Sequence, residues 1–595
     1  MQIDAPTMDP VFKSIQIISV SGPSASALAP ITSESKSVTL GQFLAVISIN
    51  STCIGVVTTV SLQSRHAEVA IEPAAVIEIS LIGHFRIDNN GIRTFERGMS
   101  IYPAIGDYVR PSNDDELRLI FNSSGKDAVE IGEIYQNPSL KAYINVDDTL
   151  GKHFAVLGST GVGKSSGVAV LLSQIVNARK DLRIFLLDVH NEYGNCFGSK
   201  AQTLSPSNIR LPFWLFNFDE FVDVIFGGRN GFDDEIDLLS EVIPLAKAAY
   251  AKYVSSAERL GNKTDARTYR YTADVPLPYR IVDLISLLDS RMGKLENRSS
   301  RLAYHKLISR IEAASSDSRY TFMFEKANVG GDTMEEVLSH LFRLPLNGVP
   351  ISVMQLAGFP CEVVDAVVSV ICRMAFDLAL WSDGANPTLI VCEEAHRYIS
   401  SDRRSSFGPT RRSISRIAKE GRKYNVSLGL ITQRPAELDA TILSQCSTLF
   451  VMRLTNERDQ QILESSVSDT SSSLLSLVPS LGTGEAFAFG EGVTLPTRFK
   501  FSRLASDKLP RSDMAGRDTD GSIAGPTPLS TVINRWRGFS VQAPAKDTVE
   551  FYGTDAPLVP ALPQKLGLDP DRYRLLRKSL PETIDHHTDT KPAQV

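Results

Sequence analysis

The stretch VLGSTGVGKSSGVAV at 156–170 constrains the architecture of this chain more than any other. The apolar run HFAVL (153–157) leads into it and the helix-forming run SSGVAVLLSQIVNARK (165–180) leaves it, so the segment reads as strand, tight loop and helix. Gly158, Gly163, Lys164 and Ser165 satisfy G-x-x-x-x-G-K-[ST]. Glycines at that spacing let backbone N–H groups and a helix N-terminus converge on phosphate oxygens. Gly158, Ser159, Thr160, Gly161, Val162, Gly163, Lys164, Ser165 and Ser166 are therefore the candidate cradle for a nucleoside triphosphate. Lys164 would oppose β- and γ-phosphate charge, and the Ser165 hydroxyl would ligate Mg²⁺.

Such a loop needs a parallel sheet whose strand C-termini face the ligand. Further apolar strands fit one: RIFLLDV (183–189), ISVMQLAG (351–358), TLIVCEE (388–394), SLGLITQ (427–433) and TLFVMRL (448–454). Long helical stretches alternate with them, which makes the fold α/β with a parallel-rich sheet. Helical periodicity in DDEIDLLSEVIPLAKAAYAKY (233–253) and RLAYHKLISRIEAA (301–314) predicts a helical insertion at 201–345, with the core at 146–200 and 346–505. Short β-prone runs punctuated every ten residues or so predict a small antiparallel barrel or sandwich over 1–145. Residues 506–595 read as an Asp-, Gly-, Pro- and Ser-rich linker and a tail with short helices near 529–539 and 570–580, its last stretch disordered.

Composition excludes little. The net charge of −6 argues against a uniformly basic nucleic-acid binder, so any such contact must come from a local patch. Six cysteines without a C-x-x-C pair suit a reducing compartment. Neither a signal peptide nor an apolar run of membrane-spanning length is evident, so the expected location is the cytoplasm, with no membrane partner.

Three strand ends add chemistry. TLIVCEEAHRYI delivers Glu393 and Glu394 to the ligand edge: the first would hold the Mg²⁺ shell and the second would act as general base toward a water in line with the γ-phosphate. RIFLLDVHNEYG places Asp188, His190, Glu192 and Tyr193 at the same edge, with Asp188 the candidate to support Mg²⁺ or the attacking water. SLGLITQRP ends in Gln433, a neutral group able to sense the γ-phosphate. Between them, Asp402 to Lys423 holds eight Lys or Arg and two acids. That run meets phosphates, meets a neighbouring subunit's nucleotide, or is a solvated face; Arg422 is the candidate arginine finger for an adjacent protomer.

With these pieces in order, the chain resembles the HerA family, in the HerA/FtsK branch of hexameric DNA translocases. The likeness rests on HFAVLGSTGVGKSS, LLDVHNEYG, IVCEEAHRYI, the run 418–459 from AKEGRKYN to TNERD, GEAFAFGEGVTLPTRFKF (484–501) and, before the core, FERGMSIYPAIGDYVRP (95–111). The resemblance implies a RecA-like P-loop ATPase core, a homohexamer with ATP and Mg²⁺ between subunits, and duplex DNA in a central channel. It also implies a barrel tier that docks a nuclease or, in bacterial antiphage relatives, a NAD-hydrolase-type or nuclease-bearing effector. Gln433 and Arg422 match the family's sensor and trans-acting arginine positions. One departure stands out: Lys152 precedes His153 where many relatives carry Arg, which puts a second guanidinium contact to nucleotide in doubt.

Overall fold

A computed structural model describes residues 15–511 of the 595-residue chain except 31–37, 49–50, 63–73, 88–92, 122–126, 228–231, 259–270, 295–297, 326–330, 403–407 and 468–473, with positions 529 and 533 in addition. The chain divides into two compact units, Met1–Gln542 and Ala543–Val595, and every described residue belongs to the first. The tail helices expected near 529–539 and 570–580 therefore lie almost entirely outside the described residues.

Seven strands open the fold: β1 (Gln16–Ser21), β2 (Ser24–Pro30), β3 (Phe43–Ile47), β4 (Thr52–Leu62), β5 (Ala74–Ile87), β6 (Arg93–Arg97) and β7 (Tyr108–Pro111). They are ordered β2-β1-β7-β3-β4-β5-β6, and an extra β2–β5 pairing closes six of them into a barrel with β6 outside it. Strand β2, SASALAP, turns Ala25, Ala27 and Ala29 inward. These small side chains leave room for Ile17, Leu44, Val46, Ile77, Ile79 and Val109 in a narrow interior. The barrel is tied to the rest of the chain by Arg97, whose guanidinium donates to the Gly490 carbonyl at 2.7 Å.

The strand spacing places the barrel's end at 145, but hydrogen bonding ends it earlier. After α1 (Asp114–Phe121), β8 (Ala128–Ile134) and β9 (Lys141–Asn145) join the second sheet through β18 (Thr497–Phe501). Their partner lies at the far end of the sequence, so nothing local distinguishes them from barrel strands.

That second sheet has eleven strands. In chain order its other members are β10 (Phe154–Leu157), β11 (Arg183–Asp188), β12 (Ala201–Leu204), β13 (Ile351–Gln355), β14 (Thr388–Cys392), β15 (Val426–Thr432), β16 (Thr448–Val451) and β17 (Glu485–Gly490). The order is β12-β13-β11-β14-β15-β10-β16-β17-β18-β8-β9. Its first seven strands are parallel and the rest antiparallel. All six expected core strands are present. The short edge strand β12 is additional and falls inside the range assigned to the insertion, whose helices begin later. Buried on both faces, β10, β14 and β15 read FAVL, TLIVC and VSLGLIT, as a covered parallel sheet requires. The crossovers include α2 (Val146–Gly151) and α3 (Lys164–Ala178) before β11, and α10 (Val364–Trp381), α11 (Gly408–Glu420), α12 (Ala440–Leu443) and α13 (Glu457–Ser466) after β13.

Helices α4 (Phe218–Phe226), α5 (Asp233–Glu258), α6 (Ile281–Gly293), α7 (Arg298–Ser316), α8 (Thr321–Phe324) and α9 (Met334–Phe342) make up the insertion. Two buried charges hold it. Glu220 closes the capping box of α4 with Asn217 while accepting from Ser369 Oγ at 2.7 Å and Arg373 at 2.9 Å, both on α10. Lys247, on α5, donates to the carbonyls of Thr272, Ala273 and Val275 at 3.0, 2.7 and 2.7 Å, and burial pushes its ammonium pKa down to about 8. Replacing Lys247 with Met strands three carbonyls, a local loss of ~2–5 kcal/mol. Hydrogen exchange at 272–281 should then accelerate at least ~30-fold; unchanged protection would show that the clamp is dispensable.

Among the described residues no helix is long and apolar enough to cross a membrane. The six cysteines are free thiols, and five are buried.

Candidate nucleotide site

The loop between β10 and α3 is stapled from below. The N–H of Gly158 donates to Thr432 O at 3.3 Å, that of Ser159 to Arg453 O at 2.9 Å, and that of Gly484 to Val162 O at 2.8 Å, so the ends of β15 and β16 and the start of β17 fix its shape. Gly163 sits at φ +91, a left-handed conformation that a side chain would strain, and at Gly158 a Cβ would come within 2.8 Å of Met452 Cβ. No side chain caps the first turn of α3 and no acid lies in it. Its amides are therefore open to an anion.

Lys164 stands half-buried at the centre. Its Nζ donates to Gly158 O at 3.3 Å and lies 4.0 Å from Glu394 Oε1. Burial draws its pKa down, against the pull of Glu394, Glu393 and Glu192. Glu394 occupies a left-handed backbone position, φ +47, uncommon for a residue with a side chain. Burial alone would raise its carboxyl, yet His396, 3.2 Å away, with Lys164 and His190, holds it below the ordinary carboxylate value. The base candidate is thus a buried, ionised carboxylate. His396 is also 3.0 Å from Thr432 Oγ1 at the end of β15, so it joins that strand to Glu394, which stands two residues before it in EEAHR.

The other acids are arranged differently from the sequence expectation. Glu393, expected in the Mg²⁺ shell, turns inward: its Oε2 accepts the N–H groups of Val189 and His190 at 2.8 and 3.3 Å. Asp188, expected to support Mg²⁺ or water, is fully buried and accepts from the amides of Glu192 and Tyr193 at 3.0 and 2.9 Å. Burial raises both carboxyls, and they lie against each other. They brace the loop after β11. The carboxylate that meets the phosphate loop is Glu192, whose Oε2 accepts from Ser165 Oγ at 2.7 Å.

Gln433 and Thr160 are hydrogen-bonded partners, which brings the expected sensor directly onto the cradle. Arg422 is elsewhere. It lies between α11 and the N-terminal end of β15, while Gln433 follows the C-terminal end, so the seven-residue strand separates them by ~20 Å. Lys419, Arg422 and Lys423 are exposed at that end. The rest of the described basic run is engaged: Arg411 pairs with Asp439, Arg412 with Asp219 at 2.5 Å and Arg416 with Asp377 at 3.3 Å. Those three arginines bind helix α11 to its surroundings and are not free for phosphate; Arg403 and Arg404 lie outside the described residues.

Lys152 is salt-bridged to Glu491 at 2.7 Å near the surface. His153 beside it, at φ +63, is buried: Nε2 donates to Ala418 O and Nδ1 accepts from Leu428 N, both at 3.0 Å. One neutral tautomer thus ties the entrance of the phosphate-loop strand to the end of α11.

Residues 129–375 match the family described as Helicase HerA, central domain. The chain is 25% identical over 490 residues to the DNA double-strand break repair helicase HerA of Pyrococcus furiosus, covering 72% of this chain and 77% of that protein. Against the same-named protein of Saccharolobus solfataricus it is 24% identical over 497 residues, covering 80% and 90%. Among solved structures, VirB4 of Thermoanaerobacter pseudethanolicus aligns over 64% of this chain and 97% of its own, at 15% identity and a TM-score of 0.42. A stapled phosphate loop facing a buried carboxylate is machinery for cleaving a triphosphate, and the sequence match runs through that same core, so the chain is a P-loop ATPase similar to the HerA helicases.

Proposed function

We propose that the chain is an ATP-driven DNA translocase that works as a closed ring of identical subunits, with ATP bound at the seams. The observation that carries the ring is the placement of Arg422 at the opposite end of β15 from Gln433. An arginine there is out of reach of its own phosphate loop and, being exposed, is available to a neighbour's. DNA as the substrate follows from the relatives, which are named as DNA double-strand break repair helicases.

In this reading the amides of 158–166 and Lys164 take the β- and γ-phosphates. Mg²⁺ would be held by Ser165 and supplies charge neutralisation when bound; the hard oxygens of Ser165 and Glu192, 2.7 Å apart, suit such a cation. Lys164 exchanges its contact with Glu394 for phosphate, which releases the Glu394 carboxylate to accept a proton from water. Gln433, held to Thr160, registers the γ-phosphate and passes its loss to the segment after β15. Duplex DNA should raise ATP turnover of the purified protein, and the stimulation should collapse between about 50 and 200 mM salt. A turnover rate indifferent to duplex DNA at every salt concentration would sink the translocase.

A second reading, a ring that scaffolds and regulates an effector such as a nuclease or NAD hydrolase, is favoured by the barrel. Ile101, Tyr102 and Ile105 stand exposed in the loop before β7, an apolar surface suited to a protein partner. The two readings part on whether an effector's activity needs hydrolysis or only the assembled ring.

A further inference from the structure

We propose that Glu192 is the carboxylate this site presents to the divalent cation, and that it is the positioning residue for Ser165; this rests on the Mg²⁺–ATP reading above. Four acids surround the phosphate loop, and the geometry gives each a different task. Glu394 faces Lys164 and His396. Glu393 and Asp188 spend their oxygens on the amides of residues 189, 190, 192 and 193. Glu192 alone among the four accepts a hydrogen bond from Ser165.

The loop aims that carboxylate by its backbone. Asn191 is in the left-handed region, φ +56, which turns the chain back toward α3 after β11. The Glu192 N–H donates to Asp188 Oδ1 at 3.0 Å, and its carbonyl accepts from the N–H of Arg511 at 3.1 Å, so Glu192 is gripped from the sheet on one side and from the segment after β18 on the other. The inward pair Asp188–Glu393 is thus the foundation and Glu192 the working end.

A second feature points to a ligand at the same place. Tyr193 is wholly buried, and its hydroxyl lies by Ser165 without a hydrogen-bond partner among the described residues. A hydroxyl, a carboxylate and an unsatisfied phenol thus converge at the head of α3. Small hard cations take one or two carboxylates together with phosphate and hydroxyl oxygens, and this donor set matches.

The test is equilibrium ATP binding by calorimetry across a Mg²⁺ titration, with full-length protein carrying Glu394→Gln so that nucleotide is not consumed. Adding Glu192→Gln, which keeps the shape and can still accept from Ser165, should leave binding in EDTA unchanged and raise the half-saturating Mg²⁺ by ~10- to 100-fold. Glu192→Asp, which keeps the charge with a shorter reach, should give a smaller shift. Ser165→Ala should move the titration in the same direction, and combining it with Glu192→Gln should add less than the product of the two. If the Glu192→Gln curve overlays its parent while Ser165→Ala shifts, the proposal fails and the Mg²⁺–ATP reading stands. If the parent shows no Mg²⁺ dependence, both fall together.

Discussion

Changing Glu394 to Gln is expected to lower ATP hydrolysis by at least ~100-fold while ATP remains bound, because on the proposed mechanism an amide cannot take the proton of the attacking water. The structure adds a reason for binding to survive, or tighten. Glu394 lies 4.0 Å from Lys164 and shares its buried pocket, so in the absence of nucleotide it competes with phosphate for the lysine's charge. Removing the carboxylate's charge removes that competitor. Single-turnover hydrolysis and calorimetric ATP affinity, measured together, check both halves. Equal losses in binding and turnover would mean that Glu394 supports the fold of the site and is not its base.

What could be read from the residues alone followed from how local the determinants are. Strands such as FAVL and TLIVC are buried on both faces and announce themselves as continuous apolar runs, and the loop after β10 carries its glycines in sequence. Strands β8 and β9 do not announce their sheet, since the pairing Phe499 with Ile134 joins residues from opposite ends of the fold. The acids past β11 were legible as a group but not by role. Asp188 ends the strand and Glu192 follows it, and which one reaches Ser165 is decided by the left-handed turn at Asn191, a conformation Asn tolerates but does not by itself announce. The basic run shows the same limit from the charge side. Its arginines are visible in sequence, whereas Asp219 on α4, Asp377 on α10 and Asp439 just before α12, which occupy three of them, are brought near only by folding.

That sorting leaves Arg422 as the residue on which the ring reading turns. Arg422→Ala should cut turnover by ~10³-fold or more and change ATP affinity little, and Arg422→Lys should not restore it, because a point charge does not reproduce the planar fork of a guanidinium. Since Arg422 makes no ion pair among the described residues and sits away from the core, its loss should leave the melting temperature unchanged. The decisive measurement mixes two inactive proteins. In a head-to-tail ring each seam takes Glu394 from one subunit and Arg422 from the next, so an Arg422→Ala subunit beside a Glu394→Gln subunit rebuilds one complete seam. An equimolar, randomly assembled mixture should then recover up to about a quarter of wild-type ATP turnover, set by the fraction of seams with both groups intact. If Arg422 served its own subunit, every seam in the mixture would lack one group or the other, and turnover would stay at the level of the separate variants. The placement of the arginine and the sensor at opposite ends of β15 makes the first outcome the expected one.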